Sequence, residues 1–378
     1  MEDYLSGAFL QLIDRARDLT TLVSGADYPS SHDGLRQICS ERLRIALKEL
    51  RQLKDENIVL PELQSPRRLR RLRQIVQNLD DIEMIGVTAL SVVAEDTSRS
   101  NKIVHEVCNQ IGYPLVAPTV ANLATSYFGI HAEFNLLMVP LLEDRYLLHL
   151  PDLYHELAHP LLHEIHIDNT DLDAFRDAFK NSLLATIKHT GELTQTARRE
   201  RSAAALPDYF YNWQKCWVRT WLNELFCDLF AVVTVGPAYG WSHLHLSAKR
   251  GGNPFDLPLH SVSSHPPDDV RMRVILLALE ELGFGEQANQ ISNRWTELSA
   301  LSDCNPSPEY RMCFPESLLK VFVKEVRQGV NAIGVNEIRP GVETPWAKHL
   351  NDAWDKFWDD HVEYRTWEQG LLKQLQLS

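Results

Sequence analysis

Apolar positions recur every three or four residues from the start of the chain to about residue 112, as at Leu35, Ile38, Leu43, Leu47 and Leu50. This period predicts amphipathic helices, interrupted at Tyr28-Pro29 and again between Pro61 and Pro66. The run RRLRRLR (67–73) looks basic, yet Leu69, Leu72, Ile75, Val76 and Leu79 form an apolar stripe through it. Its arginines are therefore expected on the opposite, solvated face. Beyond Pro114 and Pro118 the pattern changes, and Thr125 to His131, Phe134 to Val139 and Tyr146 to Leu150 read as short strands of a small sheet. Helical periodicity returns over 171–198, 208–235 and 268–283. It continues through a C-terminal region in which Trp295, Trp346, Trp354, Trp358 and Trp367 read as packing anchors. The expected fold is α+β and predominantly helical, in three parts: a helical region over 1–112, a core over 113–285 and a helical region over 286–378.

Composition narrows the function classes. The 378 residues are 44% hydrophobic and 24% charged, as expected of a globular chain, and the formal charge of −13 disfavours a phosphate backbone as partner. No nucleic acid is expected. The opening MEDYLSGAFLQLIDRARDL has acidic residues where a secretory signal needs basic ones, and no later apolar stretch approaches the ~20 residues of a membrane span. These features point to a cytoplasmic protein. Its six cysteines form no CxxC pair and read as reduced thiols. Neither GxSxG nor a Gly-rich phosphate loop is present.

Candidate chemistry sits in PDLYHELAHPLLHE, where His155-Glu156-Leu157-Ala158-His159 is an HExxH sequence. At i and i+4 both imidazoles can reach one Zn²⁺, and Glu156 can reach an open coordination position. A third ligand is required. The metzincin position, ten residues after the first histidine, holds Ile165, so that solution fails. WLNELFCDLFA supplies the other one: Glu224 and Asp228 share a helix face within a strongly apolar stretch. Glu224 is expected to bind the metal, and Asp228 to accept a hydrogen bond from the outer nitrogen of a ligand histidine. Pro160, directly after the second ligand, is expected to kink or end the helix.

The ordered trio HELAH, NELFCD and SHPPDDVR resembles the gluzincin zinc metallopeptidases, and among them the Ste24/HtpX-like peptidases. Six residues from His265 to Arg271 and the long separation between His159 and Glu224 match that pattern, which covers about 155–273. Asn223 before Glu224 also resembles the thermolysin-like NExxxD form. The resemblance implies a zincin-like core and one zinc per chain, held by His155, His159 and Glu224. Glu156 would be the general base, with Asp228 and Asn223 behind the ligands. His265 would hydrogen-bond the tetrahedral oxyanion and Arg271 would support it. The implied activity is hydrolysis of a protein or peptide, its backbone lying along an edge strand for which Phe134 to Val139 is the candidate. The membrane-spanning helices of those relatives are absent from the sequence. The alternative is a catalytically inactive zinc-binding scaffold, and in either case the flanking helices offer a surface for a regulatory partner.

Overall fold

The computed structural model describes residues 2–25, 28–56, 61–91, 95–124, 127–140, 146–166, 168–199, 206–258, 260–302 and 304–375. It is predominantly helical with one small sheet, and no described helix is long and apolar enough to cross a membrane. The chain divides into two compact units, Met1–His105 with Val116–Leu141, and Glu106–Leu115 with Leu142–Ser378. These are not the boundaries drawn from the sequence pattern. The sheet falls with the N-terminal helices, and the C-terminal helices fall in the same unit as the HExxH segment.

The first unit contains α1 (Glu2–Gly25), α2 (Asp33–Asp55), α3 (Pro61–Asp81), α4 (Thr88–Ser91) and the greater part of α5 (Glu95–Ile111). A π-helical turn, Ile82–Val87, joins α3 to α4. Phe9 and Ile13 from α1, Leu35, Leu43 and Leu50 from α2, and Leu72, Ile75 and Leu79 from α3 share one core with Phe134 and Leu136. That shared core is why the sheet belongs here. Arg68 departs from the expected solvated face. It lies four residues before Leu72, on the buried side, and is 1% exposed, with Nη2 donating to the Leu53 carbonyl at 2.8 Å and the guanidinium over the Phe9 ring. Arg67, Arg70, Arg71 and Arg73 are exposed as expected.

In the sheet, β1 (Thr119–Ala121) runs parallel and β2 (Gly129–His131) antiparallel to β3 (Leu136–Met138), in the order β1-β3-β2. Two expectations fail here. The candidate edge strand is central: Thr119 pairs with Leu136 on one side and His131 pairs with it on the other, which leaves that strand no open edge for a substrate backbone. Tyr146 to Leu150 is no strand. Leu147–His149 form a 3-10 turn whose successive i→i+3 bonds lead through Pro151 into the next helix. The expected strand from Thr125 contracts to Gly129–His131, with residues 125–126 outside the described residues, and β1 was not anticipated.

The second unit is helical: α6 (Asp152–Leu162), α7 (Asp173–Arg199), α8 (Leu206–Cys216), α9 (Leu222–Val235), α10 (Pro237–Arg250), α11 (Asp268–Glu281), α12 (Gly285–Leu301), α13 (Pro308–Cys313), α14 (Glu316–Ala332), α15 (Pro345–Asp359) and α16 (Tyr364–Gln374). A helix that is apolar all round must be enclosed. Accordingly α9 is buried from Leu225 to Val235 and packs against α6, α7, α10, α11, α14 and α15. Gly236, at φ +75°, ends α9, and Pro237 starts α10, a helix the sequence pattern did not single out. Of the tryptophan anchors, Trp295, Trp346 and Trp354 are buried, Trp367 is half-buried, and Trp358 is exposed beside Trp241 and Arg294.

Candidate metal centre

The site is built by α6 and α9 lying against each other, with α10 and α11 behind them. Helix α6 is buried over almost its whole length, and its first-turn Asp152 accepts a 2.7 Å hydrogen bond from Ser242. Pro160 neither ends the helix nor stops its hydrogen bonding at once. The helix runs on to Leu162 and closes with the His163 N–H on the Pro160 carbonyl. Proline itself cannot donate the helical bond to the Glu156 carbonyl.

One helical turn apart, the rings of His155 and His159 have centroids 5.1 Å from each other. Both present Nε2 to Glu224: His155 lies 3.4 Å from Oε2 and His159 lies 4.0 Å from Oε1. The outer nitrogen of His155 is fully engaged, with Nδ1 2.9 Å from Asp228 Oδ1 and 3.0 Å from the Tyr239 hydroxyl. Tyr239 also donates to Asp228 at 2.5 Å. Arg271 grips the same carboxylate with two hydrogen bonds, Nε to Oδ2 at 2.8 Å and Nη2 to Oδ1 at 2.6 Å. It is 4% exposed, so it stands behind the ligand layer as a positioning residue. His265 is on the open side. Its side chain is 55% exposed and its Nε2 lies 3.7 Å from Glu224 Oε2. Ser264 Oγ meets its Nδ1 at 2.9 Å, and the loop is tied to the π-helical turn Trp217–Trp221 by Thr220 Oγ1 donating to the Ser263 carbonyl at 2.9 Å.

Cys227 adds a donor that the spacing argument did not use. Its Sγ is 3.4 Å from His159 Nδ1 and 3.5 Å from Asn223 Oδ1. His155, His159 and Cys227 each offer a ligand atom, all within 4.8 Å of one another, and this buried cluster can hold a metal ion.

Electrostatics shape the site strongly. Burial disfavours the imidazolium of His155, but the hydrogen bonds and charges of Asp228 and Glu224 outweigh it and lift the pKa to about 10. Burial and the nearby His155 charge push His159 down to about 4. Glu224 is held at about 2, because its hydrogen bond and attraction to His155 exceed the cost of burial. At Asp228 burial is likewise outweighed, here by the charge and hydrogen bonds of Arg271, and the carboxylate stays far below its usual range. Glu156 moves the other way: burial raises it to about 7, against the pull of His155 and with the push of Glu224 and Asp152. Three carboxylates, those of Glu156, Glu224 and Asp228, crowd this site. The imidazole, carboxylate and thiol donors gathered here are types that can hold a metal ion.

Among the residues named from the sequence, the fold brings His155, Glu156, His159, Asn223, Glu224, Asp228, His265 and Arg271 into this one neighbourhood. Tyr239 and Cys227 are additions. Cys227 stands one residue before Asp228, within the NELFCD motif, whereas Tyr239 lies on α10 and carries no spacing signal. Compared with protein-family models, with curated proteins and with solved structures, the chain matches none.

Proposed function

We propose that this chain is a zinc-dependent metalloendopeptidase, with His155, His159 and Glu224 as ligands. The observation that carries the reading is the convergence of both Nε2 atoms on Glu224, with the outer nitrogen of His155 fixed by Asp228 and Tyr239. Zinc held there supplies a Lewis acid and a water whose pKa is lowered to about 7. The chain's own groups do the rest. Glu156, next to the first ligand and buried, is placed to take a proton from attacking water and return it to the leaving nitrogen. His265 reaches the site from an exposed loop and can donate to the oxygen on which charge develops. Arg271 acts through Asp228 rather than at that oxygen.

Elemental analysis of the purified protein should find about one zinc per chain, the stoichiometry of a mononuclear site. Glu156→Gln should retain the metal and lose peptide cleavage, and Glu224→Ala should lose most of the metal. A metal-free wild type of unchanged stability removes the site. Zinc binding without any Glu156-dependent cleavage leaves an inactive zinc scaffold. A comparison of protein N-termini in cells expressing wild type or Glu156→Gln identifies the substrate.

A further inference from the structure

The two candidate histidine ligands are supported differently. His155 has a buried carboxylate and a phenol at Nδ1, but His159 has at Nδ1 the thiol of Cys227. We propose that Cys227 is the positioning residue that sets the tautomer of His159, through a directed chain from His159 Nδ1 to Cys227 Sγ to Asn223 Oδ1. The inference rests on the zinc reading above for its consequence, though not for its geometry.

The direction of the chain follows from what each atom can do. An amide oxygen only accepts, so at Asn223 Oδ1 the hydrogen between the two residues comes from the thiol. With its hydrogen committed there, Sγ faces His159 as an acceptor, and Nδ1 carries the ring hydrogen. A neutral imidazole has one N–H, so Nε2 keeps its lone pair, and Nε2 is the atom turned toward Glu224. Cys227 lies one helical turn after Asn223, so the two share one face of α9 and meet His159 of α6 from it. Sulfur is a weak acceptor beside the carboxylate that serves His155. The two ligands are thereby unequal, with His159 the weaker base and the first to release a metal.

A thiol so placed has two other uses, as a metal ligand through its thiolate or as inert core filling, and the experiment separates them. In metal-free protein labelled with ¹⁵N-histidine, long-range ¹H–¹⁵N spectra report the tautomer of each ring. Wild type and Cys227→Ser should show His159 protonated at Nδ1, and Cys227→Ala should shift it toward Nε2. Zinc affinity, read by competition with a chromophoric chelator, should fall about tenfold to a hundredfold in Cys227→Ala and recover to within about threefold in Cys227→Ser. The cobalt-substituted protein should lack an intense near-ultraviolet sulfur-to-metal band. A strong band that disappears in Cys227→Ala makes Cys227 a ligand and overturns the proposal. An unchanged tautomer with unchanged affinity in Cys227→Ala overturns it as well. If Glu224→Ala and His155→Ala bind zinc as wild type does, the zinc reading fails, while the tautomer of the metal-free protein still decides the role of Cys227.

Discussion

At the scale of single residues the centre is organised around one carboxylate. Asp228 is wholly buried and answers to three partners at once: the Arg271 fork, the Tyr239 hydroxyl and His155 Nδ1. Removing the cation strands that charge in the interior, and breaking a buried pair from one side costs about 3–5 kcal/mol. Arg271→Met should lose stability of that order in urea denaturation of the metal-free protein; a loss below about 1 kcal/mol would mean that Tyr239 and His155 suffice. A second buried carboxylate predicts a pH dependence away from the centre. The side chain of Glu337 is 4% exposed and accepts from Arg327 at 2.6 and 2.8 Å, from Asn331 at 3.0 Å and from Arg339 at 2.9 Å. The hydrogen bonds from Arg327 outweigh its burial and hold its pKa at about 2, against an ordinary 4.5. A depressed carboxylate stabilises the fold above its unfolded pKa and stops doing so as pH falls through the folded value. Glu337→Gln should therefore cost about 2 kcal/mol at neutral pH. Its deficit relative to wild type should shrink between pH 4.5 and about 2 in denaturation measured across that range. A deficit independent of pH would mean that the charge contributes nothing.

Among the elements, α9 is decisive because it carries Glu224 and Asp228 while being enclosed on every side. Its setting depends on close helix packing in the second unit. Phe175 of α7 stacks edge-on against Phe226 and Phe230 of α9, and α7 in turn lies against α14. Gly329 of α14 faces α7 at close range: a Cβ there would stand 3.0 Å from Ala178 Cβ and 3.1 Å from the backbone Cα of Phe175. Backbone cannot rotate away as a side-chain tip can. Gly329→Ala should cost about 1–3 kcal/mol by overpacking, read as a lower denaturation midpoint. A stabilised variant would show that the crossing has slack. The same elements show how far a period can be read. The 3.6-residue pattern marked α7, α9 and α11 because each has a long buried face, whereas α6 was marked by its HExxH spacing. It gave no notice of α10, whose role comes from a side chain placed against another helix. Short apolar runs were the least legible. Tyr146 to Leu150 has the composition of a strand, but no neighbouring strand among the described residues, and its backbone bonds close on themselves within the turn.

On the scale of the whole molecule, the candidate centre draws its side chains from α6, α9, α10 and α11, so a metal bound there would stabilise the fold. A ligand that binds only the folded state adds free energy that grows with its concentration, about 4 kcal/mol at a thousand times its Kd. Zinc should raise the midpoint of thermal unfolding, a chelator should reverse the rise, and Glu224→Ala should abolish it. An equal rise in Glu224→Ala would place the metal elsewhere. The sequence by itself determined a predominantly helical chain and the group of residues from His155 to Arg271, because helical period and i, i+4 spacing are local properties. Only the tertiary structure decided three things. It buried Arg68 at helical spacing from Leu72, it turned Arg271 onto Asp228, and it brought Tyr239 and Cys227 to the outer nitrogens of the two histidines. Each of these depends on which faces of separate helices meet, and no spacing along one chain segment encodes that.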